Sequence, residues 1–419
     1  MPYLFQTNLK HRNKRRTISI FVMGDLCHSP RICYHALSFS SIDYNVNLCG
    51  YVESEPPYEI IDDINIDIIP IKVLKNKKNL PFIVFAGFKM FIQIIQIWKI
   101  MWKTRKEVDY VLIQNPPCIP ILLIILIFKY TINNQLKIII DWHNLNYTIL
   151  NLRYQNLNNP FVVIVRKYEE ILGKFANLNI TVTKQMKKFL VEQFCFNKSK
   201  VVTLYDRPGK QFQPIAVTDR NYNHEVFTDM NDLPERKILV SSTSFTPDED
   251  FNLLLNALKK YEADSETPPI YLIVTGKGPM KEEFLKTVDK LSFSSKVIIS
   301  TSWLSSEDYP KILATADLGV SLHTSSSGID LPMKIVDFFG SGIPVVSLNF
   351  PAISELVKDE VNGLVVKKSS SNELFRAIKS VFTNDELLRT LKDGALNESK
   401  SRWDENWARV LKPKFGNKQ

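Results

Sequence analysis

Chemistry concentrates in one stretch of this chain, His323-Thr-Ser-Ser-Ser-Gly-Ile-Asp330-Leu-Pro332-Met-Lys334-Ile-Val-Asp337. Ser325, Ser326 and Ser327 with Gly328 form a loop rich in hydroxyls and free backbone N–H groups. Beyond it Leu331, Ile335, Phe338 and Phe339 recur at helical spacing, which predicts an amphipathic helix after Asp330. Asp330 suits the N-cap, and Pro332 suits the first turn. A Ser/Gly loop entering a helix N-terminus is an anion site, because unpaired N–H groups and the helix dipole point at one place. Lys334 and Asp337 fall one turn apart and share a face. A cation beside a phosphate site, with a carboxylate further along to accept ribose hydroxyls, suits a nucleoside diphosphate. A plain i, i+3 surface ion pair would use the same two residues. The loop ahead and the Gly340-Ser-Gly342-Ile-Pro344-Val-Val strand start behind favour the nucleotide.

Further candidates sit where apolar runs end. Thr275-Gly276-Lys277-Gly278-Pro279 is a flexible turn presenting Lys277 to phosphate, a second wall for the same pocket. Trp303 follows another run and fits either a stacked base or a core position. Gly24-Asp25-Leu-Cys-His28-Ser29-Pro30-Arg31 reads as strand, glycine turn and helix start, with Ser29 as N-cap and Pro30 at the first helical position. Asp141-Trp-His143-Asn144 also ends a strand, where a histidine serves equally as core, cap or ligand. The run Asp248-Glu249-Asp250 resembles a metal-binding Asp-x-Asp. Its place before Phe251, Leu254, Leu255 and Leu258 makes it an acidic helix start instead.

These loops need strands and helices behind them. Short apolar runs predict strands near 18–23, 46–52, 64–71, 108–114, 137–141, 178–183 and 201–204. A second series lies near 237–242, 270–274, 297–300, 316–322 and 344–347. Alternation with helical segments predicts α/β domains with parallel sheets, whose ligands bind at C-terminal strand ends. The length of 419 residues exceeds one core and fits two domains. We expect a first domain over 1–209, a polar linker at 210–235 and a second domain over 236–400. A C-terminal helix over 401–419 should cross back to the first domain.

A hydrophobic fraction of 45% with 23% charged residues excludes disorder. The net charge of +9 gathers near 10–16, 72–78 and 103–106 and suits phosphate or an anionic membrane face. No motif or aromatic-interleaved basic stretch indicates nucleic acid. Five scattered cysteines, Cys27, Cys33, Cys49, Cys118 and Cys195, argue against a disulfide framework and against zinc. Sequons begin at Asn146, Asn179, Asn197 and Asn397, and the one beside His143 favours a cytosolic face. Residues 1–16 are polar and basic, so no signal peptide is expected. Residues 81–102 approach a membrane span in length but carry Lys89, Gln93, Gln96 and Lys99. Trp98 and Trp102 followed by Lys103, Arg105 and Lys106 fit a helix lying in the interface. A core helix and a true span remain alternatives. The apolar stretch 119–128 is too short to span and extends the same patch.

The stretch Ser325-Ser-Ser-Gly-Ile-Asp-Leu-Pro-Met-Lys-Ile-Val-Asp337 resembles the nucleotide-sugar site of GT-B glycosyltransferases. More closely it resembles the chitobiosyldiphosphodolichol β-mannosyltransferase family, which adds the first mannose to the dolichol-linked N-glycan precursor. Gly24 to Arg31, Tyr34-His-Ala36, Gln114-Asn-Pro-Pro117 and Asp141 to Asn144 carry the likeness in the first half. Ser241 to Asp250, Thr275 to Pro279, Glu307-Asp-Tyr-Pro310 and Arg402-Trp-Asp-Glu-Asn-Trp407 carry it in the second. The resemblance implies two Rossmann-like domains facing across a cleft, GDP-mannose as donor and a dolichol-linked diphosphate chitobiose as acceptor. It implies inverting transfer to a β-1,4 linkage at the endoplasmic reticulum membrane, with the catalytic domains cytosolic. Donor contacts would come from Gly276, Lys277, Gly278, Trp303, Ser326, Ser327, Gly328, Asp330, Lys334 and Asp337. Acceptor contacts would come from Gly24, Ser29, Arg31 and Asn144. Asp25 and His143 are the candidate bases. Lys277, Lys334 and the helix start would hold the leaving diphosphate, so neither cofactor nor metal is expected. Membrane contact through 81–106, extended by 119–128, and a complex with other early N-glycan mannosyltransferases complete the implied partners. Two departures stand out: His28 replaces the family's usual arginine, and the usual N-terminal anchor is not expected here. Another polyprenyl-diphosphate glycosyltransferase with a different donor, or a catalytically silent membrane scaffold, are the alternatives.

Overall fold

The computed structural model describes residues 15–76, 81–227, 233–246 and 249–415. Most of the first basic cluster and the end of the second lie outside them. The chain divides into two compact units, Met1–Tyr205 with Trp407–Gln419, and Asp206–Asn406.

The first unit holds seven strands: β1 (Thr17–Asp25), β2 (Asn45–Tyr51), β3 (Ile66–Pro70), β4 (Val108–Asn115), β5 (Lys137–Trp142), β6 (Leu178–Thr181) and β7 (Val201–Thr203). All pair in parallel, in the order β3-β2-β1-β4-β5-β6-β7. Helices on both faces explain why β1 and β2 read as unbroken buried runs. The order reverses between β1 and β4, so the loops leaving these strands open a crevice at the C-terminal edge. Trp407 and Phe415 pack edge-on against Phe39, with ring centroids 5.1 and 4.9 Å apart, and so tie the chain's end into this unit.

The second unit holds β8 (Lys237–Thr243), β9 (Ile270–Gly276), β10 (Val297–Ser302), β11 (Leu318–Ser321), β12 (Val345–Leu348) and β13 (Gly363–Val366), ordered β10-β9-β8-β11-β12-β13. β13 was not expected. Its short run, Gly-Leu-Val-Val, carries little pattern of its own. Alternate residues of the strands feed separate cores on the two faces, Leu239, Leu272 and Val274 on one, Ile238, Val240 and Ile273 on the other. The second core also takes Phe212, Val226, Phe227 and Leu233. These four residues of the stretch expected to be a polar linker are therefore packed into the second unit. Arg402 fastens its start, donating to the carbonyls of Gly209 at 3.2 Å and Phe212 at 2.7 Å.

Helix Phe82–Thr104 is long and apolar enough to cross a membrane by length and composition. Gln93, Ile97, Met101 and Thr104, spaced at helical repeats, are buried against the first unit. Val84, Phe88, Phe91, Ile94 and Trp102 are exposed on another face. Trp98, expected beside Trp102 as an anchor, instead rests edge-on against Phe128 at 5.6 Å.

Candidate active site

In the second unit the loops after β8, β9, β10 and β11 gather at one sheet edge. Glu249, read as part of an acidic helix start, turns inward and is buried. One carboxylate oxygen accepts from the Thr243 hydroxyl and from Ser244 N at 3.1 Å, and the other accepts from Lys334 Nζ at 2.6 Å. Its backbone bridges to His323 at the start of the serine loop. Asp250 behaves as the expected cap, accepting from Asn252 N at 3.0 Å. Gly276 has φ +155, and a Cβ there would stand 1.9 Å from the Thr243 carbonyl. At Gly278 a Cβ would stand 1.8 Å from the Ser244 carbonyl. The two glycines let the β9 loop lie directly on the β8 loop. Lys277, between them, is exposed, with its ammonium 4.0 Å from the centroid of Trp303. That is a cation–π contact, and it leaves Trp303 47% exposed rather than in the core.

The predicted helix forms over Met333–Gly340, with Pro332 in the N-cap position and no side-chain cap. Asp330 therefore does not cap it. Its carboxylate accepts from the Ser325 hydroxyl and lies 3.6 Å from His323 Nε2, because Ser325 folds back across the loop. Ser325 Oγ also accepts from Gly328 N at 2.7 Å, and Gly328 adopts φ +74, open to glycine at little cost. Ser327 Oγ accepts from Ile329 N at 3.4 Å. Sequence reasoning picked Ser326 and Ser327 but missed Ser325 as the organiser of this loop.

Lys334 thus reaches Glu249 rather than Asp337. Asp337 lies beside Tyr309, whose hydroxyl is 3.0 Å from Ser242 Oγ and 3.5 Å from Asp337 Oδ2. Burial pushes the Asp337 carboxyl up to about 8. The Asp206 charge adds to this, while Tyr309 and Lys334 oppose it. Tyr309 is a second residue that sequence reasoning left without a role.

In the first unit Asp25 ends β1 and accepts from Glu53 N at 3.1 Å, Ser54 N at 3.5 Å and His28 Nδ1 at 3.0 Å. Burial raises its carboxyl, but the hydrogen bonds from Ser54, Glu53 and His28 outweigh that and hold it below the usual carboxylate range. This makes it a weak base. Gly24 has ordinary room for a Cβ, and Ser29 stands at the N-cap ahead of Pro30 as expected, though its Oγ donates to the Asp25 carbonyl at 2.9 Å and makes no side-chain cap bond. Arg31, expected on the acceptor, is buried at 1% exposure. Its Nε and Nη2 donate to both oxygens of Asp141, at 2.8 and 2.9 Å, and its Nη1 donates to the Leu204 carbonyl at 3.0 Å. Arg31 is a structural clamp. Burial would raise Asp141, but the Arg31 guanidinium, with His143 and His35, holds its carboxyl well below the usual range. His143 Nε2 lies 2.8 Å from Asp141 Oδ2, and the ring is partly exposed at the C-terminal end of β5. Asn144 Oδ1 accepts from Leu145 N at 2.8 Å.

The sequon at Asn146 carries less meaning than expected. Its amide donates to Glu169 Oε1 at 3.1 Å, and Asn179 is buried, so in the fold both side chains are taken up by packing. All five cysteines are free thiols. Among the described residues no group of three or more His, Cys, Asp or Glu side chains is placed to hold a metal.

Residues 226–398 match the family described as "Glycosyl transferases group 1". A Candida albicans protein, "Chitobiosyldiphosphodolichol beta-mannosyltransferase", is 64% identical over 100% of this chain and 91% of its own length. A Debaryomyces hansenii protein of the same name is 58% identical over 99% of this chain and 90% of its own. Among solved structures, the sucrose-phosphate synthase of Thermosynechococcus elongatus superimposes with TM-score 0.73 at 12% identity, covering 96% of this chain and 98% of that one. That likeness is one of fold, and with the two parallel Rossmann-like sheets it makes the architecture GT-B. The identity to the fungal relatives, sustained along the whole chain, settles the narrower question: this protein belongs to the chitobiosyldiphosphodolichol beta-mannosyltransferase family.

Proposed function

We propose that the chain transfers mannose from GDP-mannose to a dolichol-linked diphosphate chitobiose, with inversion to a β-1,4 linkage. The observation that carries this reading is the strand-end constellation of the second unit. Lys334 held against Glu249, Lys277 over Trp303 and Asp337 beside Tyr309 supply cations for a diphosphate, a face for a base and a carboxylate for ribose. The cations meet the charge that grows on the departing diphosphate, the point at which electrostatic stabilisation counts most. The acceptor hydroxyl attacks the anomeric carbon from the opposite face and gives up its proton to a base of the first unit. His143 suits that task better than Asp25, whose carboxylate is already engaged. The enzyme would act at the cytosolic side of the endoplasmic reticulum membrane, in company with other early N-glycan mannosyltransferases.

Titration calorimetry tests the donor. GDP-mannose should bind and UDP-sugars should not, and a preference for a UDP-sugar would overturn the proposal. The same titration carries a pH signature. A carboxyl at about 8 is largely protonated at neutral pH, and accepting both ribose hydroxyls requires its ionised form. Donor binding should then release a proton, and affinity should rise by up to about tenfold per pH unit below 8 and level off above it. Asp337→Asn should remove this slope, and Asp337→Ala should cost about 1.5–3 kcal/mol of binding. A parent affinity flat between pH 6.5 and 8.5 would show that Asp337 does not hold the ribose as a carboxylate.

Membrane attachment through helix Phe82–Thr104 fits its exposed apolar face and the cations that follow it. Since Trp98 packs on Phe128, the clean test uses the exposed Phe88, Phe91 and Trp102. Replacing these three by serine should release protein from anionic liposomes by about tenfold or more. Each aromatic ring withdrawn forfeits part of about 1.5–3 kcal/mol of apolar burial. Vesicle binding equal to the parent's would place attachment elsewhere.

A further inference from the structure

Behind His143 lies a buried line of polar side chains that substrate transfer as described above does not use. Asp141, Arg31, His35 and Trp407 are each at most 2% exposed. Burying so many polar groups together is costly unless each has a partner.

The line can be read from its two ends. An indole N–H only donates, and Trp407 Nε1 donates to His35 Nδ1 at 3.1 Å. His35 Nδ1 is therefore the lone-pair nitrogen, and the His35 proton sits on Nε2. That nitrogen lies 3.2 Å from Asp141 Oδ2, an electrostatic contact whose angles fall short of a hydrogen bond. Burial pushes His35 down more than Asp141 pulls it up, which keeps the ring neutral. Asp141, ionised and gripped at both oxygens by Arg31, only accepts. His143 Nε2, 2.8 Å from the same Oδ2, must then carry a proton. A neutral imidazole has one N–H, so its Nδ1 keeps a lone pair. Among the described residues, the charged or titratable groups on this side of the ring are Asp141 from β5 and, behind it, Arg31 and His35 from helix Pro30–Ser40.

We infer that Asp141, Arg31, His35 and Trp407 are positioning residues that fix His143 in its Nε2–H tautomer and make Nδ1 the nitrogen that takes the acceptor's proton. The inference rests on the transfer proposed above. In that step the acceptor oxygen bonds to the anomeric carbon, the bond from that carbon to the diphosphate breaks, and GDP leaves with the electron pair. The hydroxyl proton moves to His143 Nδ1, and the resulting imidazolium is paired with the Asp141 carboxylate. The chain's C-terminal segment thereby acts on the reaction through Trp407 without touching substrate.

The test combines tautomer and rate measurements on the full chain. With six histidines in the sequence, ¹⁵N-labelled histidine spectra can be assigned by difference from His143→Gln and His35→Gln. Both rings should appear as Nε2–H tautomers in the parent. Asp141→Asn should lower kcat at least 10²-fold, within the range a positioned base contributes, and leave the Kd for GDP-mannose unchanged. Trp407→Phe removes one donor and little volume. It should scramble the His35 tautomer and reduce kcat several-fold, again with donor Kd intact. An Nδ1–H tautomer for His143 in the parent overturns the inference, as does an Asp141→Asn kcat within threefold of it. Should Asp141→Asn fail to fold, the parent spectrum and Trp407→Phe still decide. If the parent shows these tautomers yet transfers no mannose, the transfer reading falls and the positioning chain stands.

Discussion

Replacing Lys334 by alanine should lower kcat for mannose transfer by about 10²-fold while weakening GDP-mannose binding much less. The asymmetry follows from where its charge is needed. In the free enzyme Lys334 is already neutralised by the buried Glu249 at 2.6 Å, so bound donor must share the ammonium with that carboxylate. As the glycosidic bond breaks, negative charge accumulates on the diphosphate, and the lysine's attraction to it grows. Interactions stronger in the transition state than in the ground state appear in kcat, and removing one preorganised donor typically costs about 10²–10³. Glu249 offers the control. Its second oxygen holds the β8 loop through Thr243 and Ser244, so Glu249→Gln should preserve much of that loop while freeing the lysine. Donor should then bind more tightly and product GDP should leave more slowly. Single-turnover and steady-state rates separate the two effects. A Lys334→Ala variant with kcat within threefold of the parent would remove the lysine from the leaving-group site.

The parallel strands were readable because strands covered on both faces leave largely apolar, buried runs such as β1 and β9. Gly276 and Gly278 were readable as a flexible turn, and the structure gives the cause, their contact with the β8 backbone. What stayed hidden depends on partners far away in the chain. Nothing in Asp248-Glu249-Asp250 distinguishes the inward carboxylate from the capping one. Glu249 is set apart by Lys334, 85 residues away. Arg31 was expected on the acceptor through the resemblance alone, and its partner Asp141 lies 110 residues on. Asp330 satisfied every local rule for an N-cap, but Ser325 claims its carboxylate and the helix starts later. Trp98 and Trp102 share a helical face by spacing, yet Phe128 from a neighbouring helix covers only one of them. The polar stretch at 210–235 lacked periodicity because its described residues pack through separate anchors, Phe212, Val226, Phe227 and Leu233, rather than along one long element.

Breaking the Arg31–Asp141 pair should produce the largest loss of stability available from one substitution in the first unit. Arg31→Met keeps the apolar stem but removes both guanidinium donors to a carboxylate with no exposed side chain, leaving it only the neighbouring histidines. Removing one partner of a buried pair typically costs about 3–5 kcal/mol, because the other charge is left uncompensated. The pH dependence identifies the cause. In the parent the folded-state Asp141 is held well below its unfolded value. It therefore contributes stability above the unfolded pKa, about 3.9, which is lost as pH falls through the folded value. Without the guanidinium, burial prevails and the folded pKa rises above the unfolded one. The variant's Asp141 then favours the fold only while protonated, and stability falls as pH climbs through the unfolded and toward the folded value. The difference between parent and variant should widen from pH 5 to pH 8. Hydrogen exchange of the β1, β4 and β5 amides reads this locally, without requiring the two units to unfold together. A deficit independent of pH would mean that the loss comes from packing around the arginine stem. In the double variant Arg31→Met with Asp141→Leu the pH dependence should vanish and much of the stability return, since the charge that lacked a partner is no longer there.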